Sequence, residues 1–444
     1  MKRMHKLLSL VLAAALLLSL AACGRNPAAQ TTTAQQPAEI TQAPTQALIP
    51  GPKKVQAADL LENFTPQPVE EKKADAAYIQ AAYTWSARIF QKTYQAEKAD
   101  KTLLISPLSI LTALAMTANG AGGNTLKEME ALLGSGSLSL AELNAYLHTY
   151  LNTLPSSEMA KFSFANGIWF KDKENFVVED AFLQKNVDYF DAAIRKAPFD
   201  DSTVQEINQW VDLHTDHMIP SLLSELSEDT LMLLINALVF DAKWEVPFDR
   251  AEAIKGPFAN LEGGEDQAEY MYGTEYLYLE DENTIGFMKE YKGDSYRFVA
   301  LLPKDEKGFE SWIDGISGES LQALLAGVSR EKTYISLPKF SYDYSTGLTK
   351  VLHDLGMKDA FGDSADFRGI SEETKLYISN VIHKTHIDLD SDGTRAAAVT
   401  AVTLDSATAI EEPPKEVYLT RPFVYMIIDT ATNLPIFMGT VTGF

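Results

Sequence analysis

The most informative segment of the sequence is Gly393-Thr-Arg-Ala-Ala-Ala-Val-Thr-Ala-Val-Thr-Leu-Asp-Ser-Ala-Thr-Ala-Ile-Glu-Glu-Pro-Pro414. It lies between two predicted strands, 376–390 and 417–429. A structureless connection of more than about 15 residues is uncommon inside a compact domain and is usually functional. The stretch begins after Asp392 and ends in a double proline, and both signals are typical of exposed chain. We therefore predict a long exposed loop.

The side chains of this loop also follow the period of two that a β-strand requires. One phase carries small and then apolar side chains: Thr394, Ala396, Ala398, Thr400, Val402 and Leu404. Up to Asp405, the other phase holds both charges, Arg395 and Asp405. One face can therefore be buried while the other stays in water. The pattern fits either a permanent surface strand or a loop that can also become a strand.

Composition limits the class of protein. The chain has 444 residues, of which 46% are hydrophobic and 22% charged, so most of it is globular. A net charge of −23 argues against nucleic-acid binding, which needs a basic surface. The single cysteine, Cys23, excludes structural disulfides, cysteine-rich zinc sites and a cysteine nucleophile in the folded part.

The N-terminus has the pattern of a secretory signal. Basic residues precede an apolar run at 7–20 that is too short for a spanning helix. The run ends in Leu20-Ala-Ala-Cys23-Gly24, which resembles the bacterial lipoprotein signal. That resemblance implies removal of residues 1–22 and lipidation of Cys23, which anchors an exported protein to the outer face of the bacterial cell membrane. The alternative is an ordinary cleavage site with a chance cysteine.

Residues 23–72 are rich in Ala, Gln, Thr and Pro and have little apolar periodicity. We predict a flexible tether over this range, with a reach on the order of 40 Å. The globular domain is predicted at 73–444.

The order of the predicted elements indicates an α+β fold, because early helices are followed by many strands. The nearly unbroken apolar run 231–240 predicts a central strand of a sheet. Later strands are predicted at 270–279, 285–291, 296–302, 334–340, 376–389, 417–429 and 434–441.

Six short segments resemble the serpin family of serine protease inhibitors, and they occur in the family's order. They are Ser106-Pro-Leu-Ser-Ile110, Ala165-Asn-Gly-Ile-Trp169, Asn236-Ala237 with Lys243-Trp-Glu-Val-Pro-Phe248, Leu337-Pro-Lys-Phe340, His383-Lys384 and Arg421-Pro-Phe-Val-Tyr425. The resemblance covers the whole globular part. It implies a serpin fold with three β-sheets, about eight or nine helices and an exposed reactive-centre loop at about 393–414. In such proteins the cleaved loop inserts as an extra strand into the largest sheet.

The resemblance also assigns residues within the loop. The hinge of the family's inhibitory members is matched by Gly393, Thr394, Arg395, Ala396, Ala397 and Ala398. Family spacing places the scissile bond between Ala407 and Thr408. The loop is longer than is typical, so the bonds Thr408–Ala409 and Ala409–Ile410 remain alternatives.

Two clusters in the body are implied by the same resemblance. The shutter, a polar cluster beneath the central strands, is matched by Ser106, Ser109, Asn236 and His383. The breach, where the loop first enters the sheet, is matched by Trp244. From the residues alone, helix caps, buried polar pairs and a core tryptophan are equally good interpretations.

No motif indicates an enzyme. The sequence contains no Gly-x-Ser-x-Gly, His-Glu-x-x-His or Gly-x-x-x-x-Gly-Lys motif, so no catalytic, metal or cofactor site is predicted. The predicted helix 140–154 contains neither Lys nor Arg, so a glycosaminoglycan partner is not expected.

We therefore expect an irreversible, monomeric suicide inhibitor that forms a covalent complex with its target serine protease. No Arg or Lys lies between Ala396 and Pro414, which favours an elastase-like or subtilisin-like target over a trypsin-like one. The alternative is a non-inhibitory serpin that serves as a surface binding or scaffold module. A hinge without proline, whose one charge falls on the outward phase, favours inhibition.

Overall fold

The structure is a computed structural model that describes residues 57–97, 102–190, 192–227, 229–394 and 413–444. All of them belong to one compact unit, Lys54–Phe444. Over these ranges the chain forms nine α-helices and two β-sheets. The predicted α+β class is confirmed.

Each helix begins where the sequence supplies a reason. Asp75 accepts hydrogen bonds from two backbone N–H groups at the start of α1, and Ser106 caps α2. Ser139 and Glu142 form a reciprocal capping box at the start of α4. The helices are α1 Ala76–Ala96, α2 Pro107–Ala118, α3 Gly123–Leu133, α4 Leu140–Thr153, α5 Asp180–Tyr189, α6 Asp201–His214, α7 Phe309–Gly315, α8 Gly318–Ala326 and α9 Thr349–Asp354.

Sixteen strands lie in the same ranges. The first eight are β1 Ala58–Asp59, β2 Leu104–Ile105, β3 Ala160–Lys171, β4 Ala193–Ala197, β5 Met232–Lys243, β6 Ile254–Ala259, β7 Glu265–Glu280 and β8 Thr284–Glu290. The others are β9 Tyr296–Pro303, β10 Ser329–Pro338, β11 Phe340–Gly347, β12 Asn380–Leu389, β13 Gly393–Thr394, β14 Lys415–Tyr418, β15 Phe423–Asp429 and β16 Pro435–Val441.

The predicted hinge lies in a seven-stranded sheet with the order β1-β4-β3-β5-β13-β12-β11, which we call the large sheet. Its centre is β5, the strand predicted from the apolar run 231–240. Alternate residues of β5 belong to two hydrophobic cores. Leu234 and Leu238 lie in the main core with α2, and Ile235 and Val239 lie in the smaller core with α6. An unbroken apolar run is therefore what a central strand with both faces covered requires.

The second sheet has the order β14-β10-β7-β8-β9-β15-β16-β2, with β6 paired to β7. The three sheets implied by the resemblance are here two hydrogen-bonded sheets. The reason is that β7 is continuous: one part of it pairs with β6 and β10, and its C-terminal end pairs with β8. One long strand thus joins what would otherwise be two smaller sheets.

The predicted tether boundary is too late in the chain. β1 pairs antiparallel with β4 and so covers the edge of the large sheet. The N–H of Ala57 donates to the Glu206 carboxylate at 2.8 Å, and the N–H of Lys72 donates to Thr149 Oγ1 at 2.8 Å. Residues 57–72 therefore pack on the body, despite their polar composition. The tether prediction now concerns residues 23–56, which lie outside the described residues, as does Cys23.

Candidate functional site

The hinge of the loop already forms part of the large sheet. Gly393 and Thr394 form β13, which lies antiparallel between β5 and β12. Thr394 is paired with Ala242 on one side and Leu389 on the other. The start of the loop is therefore a strand and not a turn.

The rest of the loop falls outside the described residues. This applies to the hinge residues Arg395, Ala396, Ala397 and Ala398, and to the candidate reactive-bond residues Ala407, Thr408, Ala409 and Ile410. Their assignments stay predictions. The chain is described again from Pro413, two residues before β14.

Only glycine fits at the first hinge position. A Cβ atom on Gly393 would lie 2.2 Å from the carbonyl oxygen of Ala242 and 2.8 Å from Cα of Lys243. Both neighbours are backbone atoms of a central strand and cannot move aside. The glycine is thus required by the close approach of β13 to β5.

Thr394 points into the protein, as the phase of the loop predicts. Its side chain is buried, and its Oγ1 lies 2.7 Å from the hydroxyl of Tyr291. The Tyr291 ring stacks on Trp244, with centroids 4.5 Å apart and an interplanar angle of 11°. Burial raises the pKa of Tyr291, so its hydroxyl stays protonated and able to hydrogen-bond. The inward assignment of Thr394 is confirmed.

The turn before the hinge is held from several sides. The Asp390 carboxylate accepts from the N–H groups of Asp392 and Gly393. The indole Nε1 of Trp244 donates to the Asp390 carbonyl at 3.0 Å, and its backbone N–H donates to the Asp392 carbonyl at 2.9 Å. Arg250 forms an ion pair with Asp392. Trp244, the predicted breach residue, therefore contacts the chain that leads into the loop.

A buried cation, Lys289, lies against the predicted breach residue Trp244, and no sequence motif indicates it. The Lys289 ammonium donates to Glu275 at 2.6 Å and to the Val246 carbonyl at 2.8 Å. It also lies 5.4 Å from the Trp244 ring centroid and 4.4 Å from that of Phe248. Burial raises the pKa of Glu275, and the Lys289 charge opposes that rise. Lysine and glutamate that alternate with apolar residues are typical of a half-exposed strand, so the pattern alone does not indicate a buried ion pair.

The four predicted shutter residues lie together in the main core, between α2 and the large sheet. The backbone N–H of Ser106 donates to Nε2 of His383 at 3.1 Å. Nδ1 of His383 lies 2.5 Å from the side-chain oxygen of Asn236. Asn236 in turn donates to Ser109, whose backbone N–H donates to the hydroxyl of Ser106 at 3.2 Å. Ser106 is thus both a helix cap and a member of the cluster.

Asn166 completes this cluster and was missed as a site residue. Its side-chain oxygen accepts from the Asn236 amide at 2.5 Å and from the Ser109 hydroxyl at 3.3 Å. It lies on β3, directly opposite Asn236 on β5. In the sequence, this residue is recognisable as an asparagine inside the otherwise apolar segment 165–169.

His383 is held as the neutral imidazole. Because Nε2 accepts from Ser106, the proton sits on Nδ1 and is donated to Asn236. Complete burial lowers the pKa of His383 to about 3. Protonation would leave the Ser106 N–H facing a second donor, so the cluster persists only while the ring is neutral.

Below the hinge the large sheet is closed. β5 and β12 pair directly and in parallel over six residue pairs, from Asn380 with Leu233 to Thr385 with Leu238. Ala242 and Leu389, the partners of Thr394, keep the same offset as these pairs. The two strands are therefore spread sideways at the hinge, without a slip in register.

No helix in the described ranges has the length and apolar character that a membrane crossing needs. No group of three or more His, Cys, Asp or Glu in those ranges is placed to hold a metal ion.

Comparisons with known proteins give one consistent result. The model of the serpin (serine protease inhibitor) family matches residues 80–443. An uncharacterized serpin-like protein of Thermococcus kodakarensis is 32% identical over 347 residues, which cover 77% of this chain and 80% of that protein. The thermophilic serpin tengpin in its native state is similar in structure, with a TM-score of 0.83 and 42% identity over 88% of this chain and 100% of that one. Its latent state gives a TM-score of 0.73 and 40% identity, over 84% of this chain and 100% of that one.

The neutral His383 predicts a pH dependence of stability. Its pKa of about 3 in the native state lies below the value of about 6.5 for an unfolded histidine. Between these values only the unfolded chain takes up the proton, so native stability falls as the pH drops below about 6.5. From pH 7.5 to pH 5.0 the loss due to His383 is about 2 kcal/mol.

Urea unfolding of the parent chain and of His383→Gln at the two pH values measures this loss. The variant should lose about 2 kcal/mol less than the parent over the same interval. His353→Gln removes an exposed histidine and is the matched control. An equal pH dependence in the parent chain and in His383→Gln would contradict a neutral, buried His383.

Proposed function

Because the chain belongs to the serpin family, we propose that it is an irreversible suicide-substrate inhibitor of serine proteases with elastase-like or subtilisin-like specificity. Family membership supports protease inhibition in general, and inhibitors of this kind are not enzymes. The proposal of loop insertion rests on the position of β13. This short strand begins an extra strand between β5 and β12, with Thr394 pointing inward. The proposed partner is the target protease, and the acting species is a monomer.

The proposed reaction starts as ordinary proteolysis. The serine hydroxyl of the protease attacks the carbonyl carbon of Ala407, and the peptide bond to Thr408 breaks. Thr408 leaves as a free amine after it takes up a proton, and Ala407 stays joined to the protease as an ester. The bonds Thr408–Ala409 and Ala409–Ile410 are the alternatives. Their small, uncharged side chains suit a narrow apolar specificity pocket.

The register of the hinge supports one set of strand partners for the inserted loop. Continuing β13 from Thr394 brings Ala396 opposite Phe240 of β5 and Ile387 of β12. This phase of the loop carries no charge up to Leu404, so it can enter the core beside α2. Arg395 falls on the other face, away from that core. The small side chains at 396 and 398 require little space where the strands first part.

The same register brings Thr400 between Asn236 and His383. In the present structure these two side chains bond directly, so an inserted strand must separate them. A threonine hydroxyl can both donate and accept, and it therefore replaces the lost bond. The one polar side chain in the middle of the buried phase thus arrives at the buried polar cluster.

Insertion is also favoured by the type of pairing. The β5–β12 ladder is parallel, and the loop would enter antiparallel to both strands. One parallel ladder is exchanged for two antiparallel ladders, which are slightly more stable per residue. About a dozen inserted residues at roughly 3.3 Å each would carry the attached protease about 40 Å. Such a displacement distorts the acyl-enzyme before water hydrolyses it.

Thr394→Arg tests the inward strand directly. A long charged side chain would have to enter a buried site beside Tyr291, which costs several kcal/mol. With pancreatic elastase we expect an SDS-stable complex from the parent chain. Thr394→Arg should instead be cleaved without inhibition and give little complex.

Thr394→Ser is the matched control, because it keeps the hydroxyl bonded to Tyr291. It should form as much complex as the parent chain. Undiminished inhibition by Thr394→Arg would refute the inward phase. If elastase cleaved the parent chain and kept its full activity, the proposed inhibitory function would be wrong.

Thermal unfolding before and after loop cleavage separates an inhibitor from a binding or scaffold module. The chain is nicked within 400–410 by a protease that it does not trap, and the cut is mapped by mass spectrometry. Insertion adds a central strand, so the melting temperature should rise by tens of degrees, since each 1 kcal/mol shifts Tm by only a few degrees. An unchanged melting temperature would show that the loop stays outside the sheet.

We also propose that the protein is exported and anchored through a lipid on Cys23, with the inhibitor domain held outside the bacterial cell. The support is the signal-like N-terminus and its small residues before the cysteine. Cys23→Ser should move the protein from the membrane fraction to the soluble fraction, measured by immunoblotting after fractionation. Thr394→Ser is the control and should stay with the membranes. A Cys23→Ser protein that remained membrane-bound would refute the anchor.

A further inference from the structure

One lysine is buried beside the breach. Lys289, on β8, is 3% exposed, and among the described residues it is the only lysine or arginine that is buried. Its ammonium donates to the Glu275 carboxylate on β7 and to the Val246 carbonyl, and it lies against the rings of Trp244 and Phe248. Burying a cation is costly unless the cation is paired and hydrogen-bonded, and this one is both. An apolar side chain of similar size would fill the space without that cost, but it could not hold the Val246 carbonyl.

The carbonyl that Lys289 holds belongs to an exposed segment. Residues 245–247 lie between Trp244 and Phe248, and the Val246 side chain is 58% exposed. Side-chain packing therefore contributes little to the position of this segment. Its backbone is held by the Lys289 bond at 2.8 Å and by a bond from the Glu245 N–H to the second sheet. Lys289 thus supplies a directional contact to a segment that has little apolar packing of its own.

The two ends of this segment hold the turn that leads into the hinge. Trp244 donates to the carbonyl oxygens of the first and last residues of the turn 390–392, and the Phe248 N–H donates to that of the middle residue. The ion pair between Arg250 and this turn is formed by a side chain that is more than half exposed, and such pairs contribute little. Because Lys289 contacts both rings and the carbonyl between them, its position determines that of the turn.

The docked hinge has a competitor within the large sheet. Ala242 of β5 and Leu389 of β12 keep the offset of the six pairs below them, so the two strands could also pair directly up to this level. In the structure β13 occupies that place instead. A docked hinge and a sheet closed to its upper end are therefore alternative arrangements. A fixed turn at 390–392 favours the docked hinge, because it directs the chain back between the two strands.

We propose that Lys289, held by Glu275, is a positioning residue that keeps the hinge docked between β5 and β12. Its effect on inhibition rests on the proposed function. With the hinge docked, insertion starts from an end of the sheet that is already open, so the cleaved loop enters before water hydrolyses the acyl-enzyme. With the hinge undocked, β5 and β12 must first part at their upper ends. More chains would then be cleaved for each protease that is trapped.

The test variant combines Lys289→Met with Glu275→Leu. It removes both charges and leaves no unpaired buried ion, and replacements of this kind are often neutral or stabilising. Hydrogen exchange measured by mass spectrometry should nevertheless be faster at the amides of 391–394, by about fivefold or more. This exchange is read relative to that of β15 in the same molecule, so a loss of overall stability does not count as undocking. A residue that served overall stability alone would not change this ratio.

The effect on inhibition is read as the number of chains cleaved per trapped molecule of pancreatic elastase. This number should rise by about threefold or more in the double variant, because insertion becomes slower relative to hydrolysis of the acyl-enzyme. The rate of the first cleavage should stay within about twofold, since the scissile bond is unchanged. Lys304→Met is the matched control: it removes an ion pair with Glu280 at the other end of β7 and should leave exchange and inhibition unchanged.

Unchanged exchange at the hinge of the double variant would overturn the positioning role of Lys289. Faster exchange with an unchanged number of cleaved chains per trapped elastase would overturn its role in inhibition. Failure of the parent chain to form any complex is a different result, which would refute the proposed function. Hydrogen exchange needs no protease, so it still tests whether Lys289 keeps the hinge docked.

Discussion

The arrangement of β5 and β12 is the constraint on which the rest of the structure depends. The two strands pair directly along most of their length, and at the hinge the two residues of β13 lie between them. The pairing is parallel, in register and six residue pairs long. At the upper end Thr394 fits between Ala242 and Leu389, and its hydroxyl bonds to Tyr291 beneath the sheet. Since the strands keep their offset above and below, they can part further by sideways movement alone. The two residues of β13 already lie between these strands, and the insertion that we propose would extend that strand once β5 and β12 part.

Polar as well as apolar contacts keep β5 and β12 paired below the hinge. Asn236 and His383 are cross-strand partners whose side chains bond to each other and, through Ser106, Ser109 and Asn166, to α2 and β3. A buried network of this kind is stabilising only when all its members are satisfied. Parting the strands therefore breaks the Asn236–His383 bond, and the network stays satisfied only if another polar group replaces the lost partner. In the inserted strand that we propose, the register would place Thr400 there.

β7 links this mechanical region to the outer surface. Successive side chains of a strand point to opposite faces. Tyr272 and Tyr276 are exposed on one face, whereas Glu275 points to the other, where it holds Lys289 under Trp244 and Phe248. Exposed tyrosines and the buried ion pair beside Trp244 thus lie on the two sides of one strand. The proximity follows from the length of β7, which also joins the two smaller sheets into one.

The fold class, the central strand β5 and the inward phase of Thr394 follow from the sequence alone, because period, turn signals and charge placement are local properties of the chain. The sequence also supplied candidate shutter and breach residues, through short segments that resemble those of the serpin family. The predicted strand 417–429 divides at Arg421-Pro422 into β14 and β15, and the packing of 57–72 contradicted its polar composition, because pairing at a sheet edge needs backbone groups more than side chains. Asn166, Tyr291 and Lys289 reach their sites only through the tertiary fold, since each is defined by partners far away in the chain. These contacts depend on the register between strands that are distant in the chain, and no single segment of sequence specifies that register.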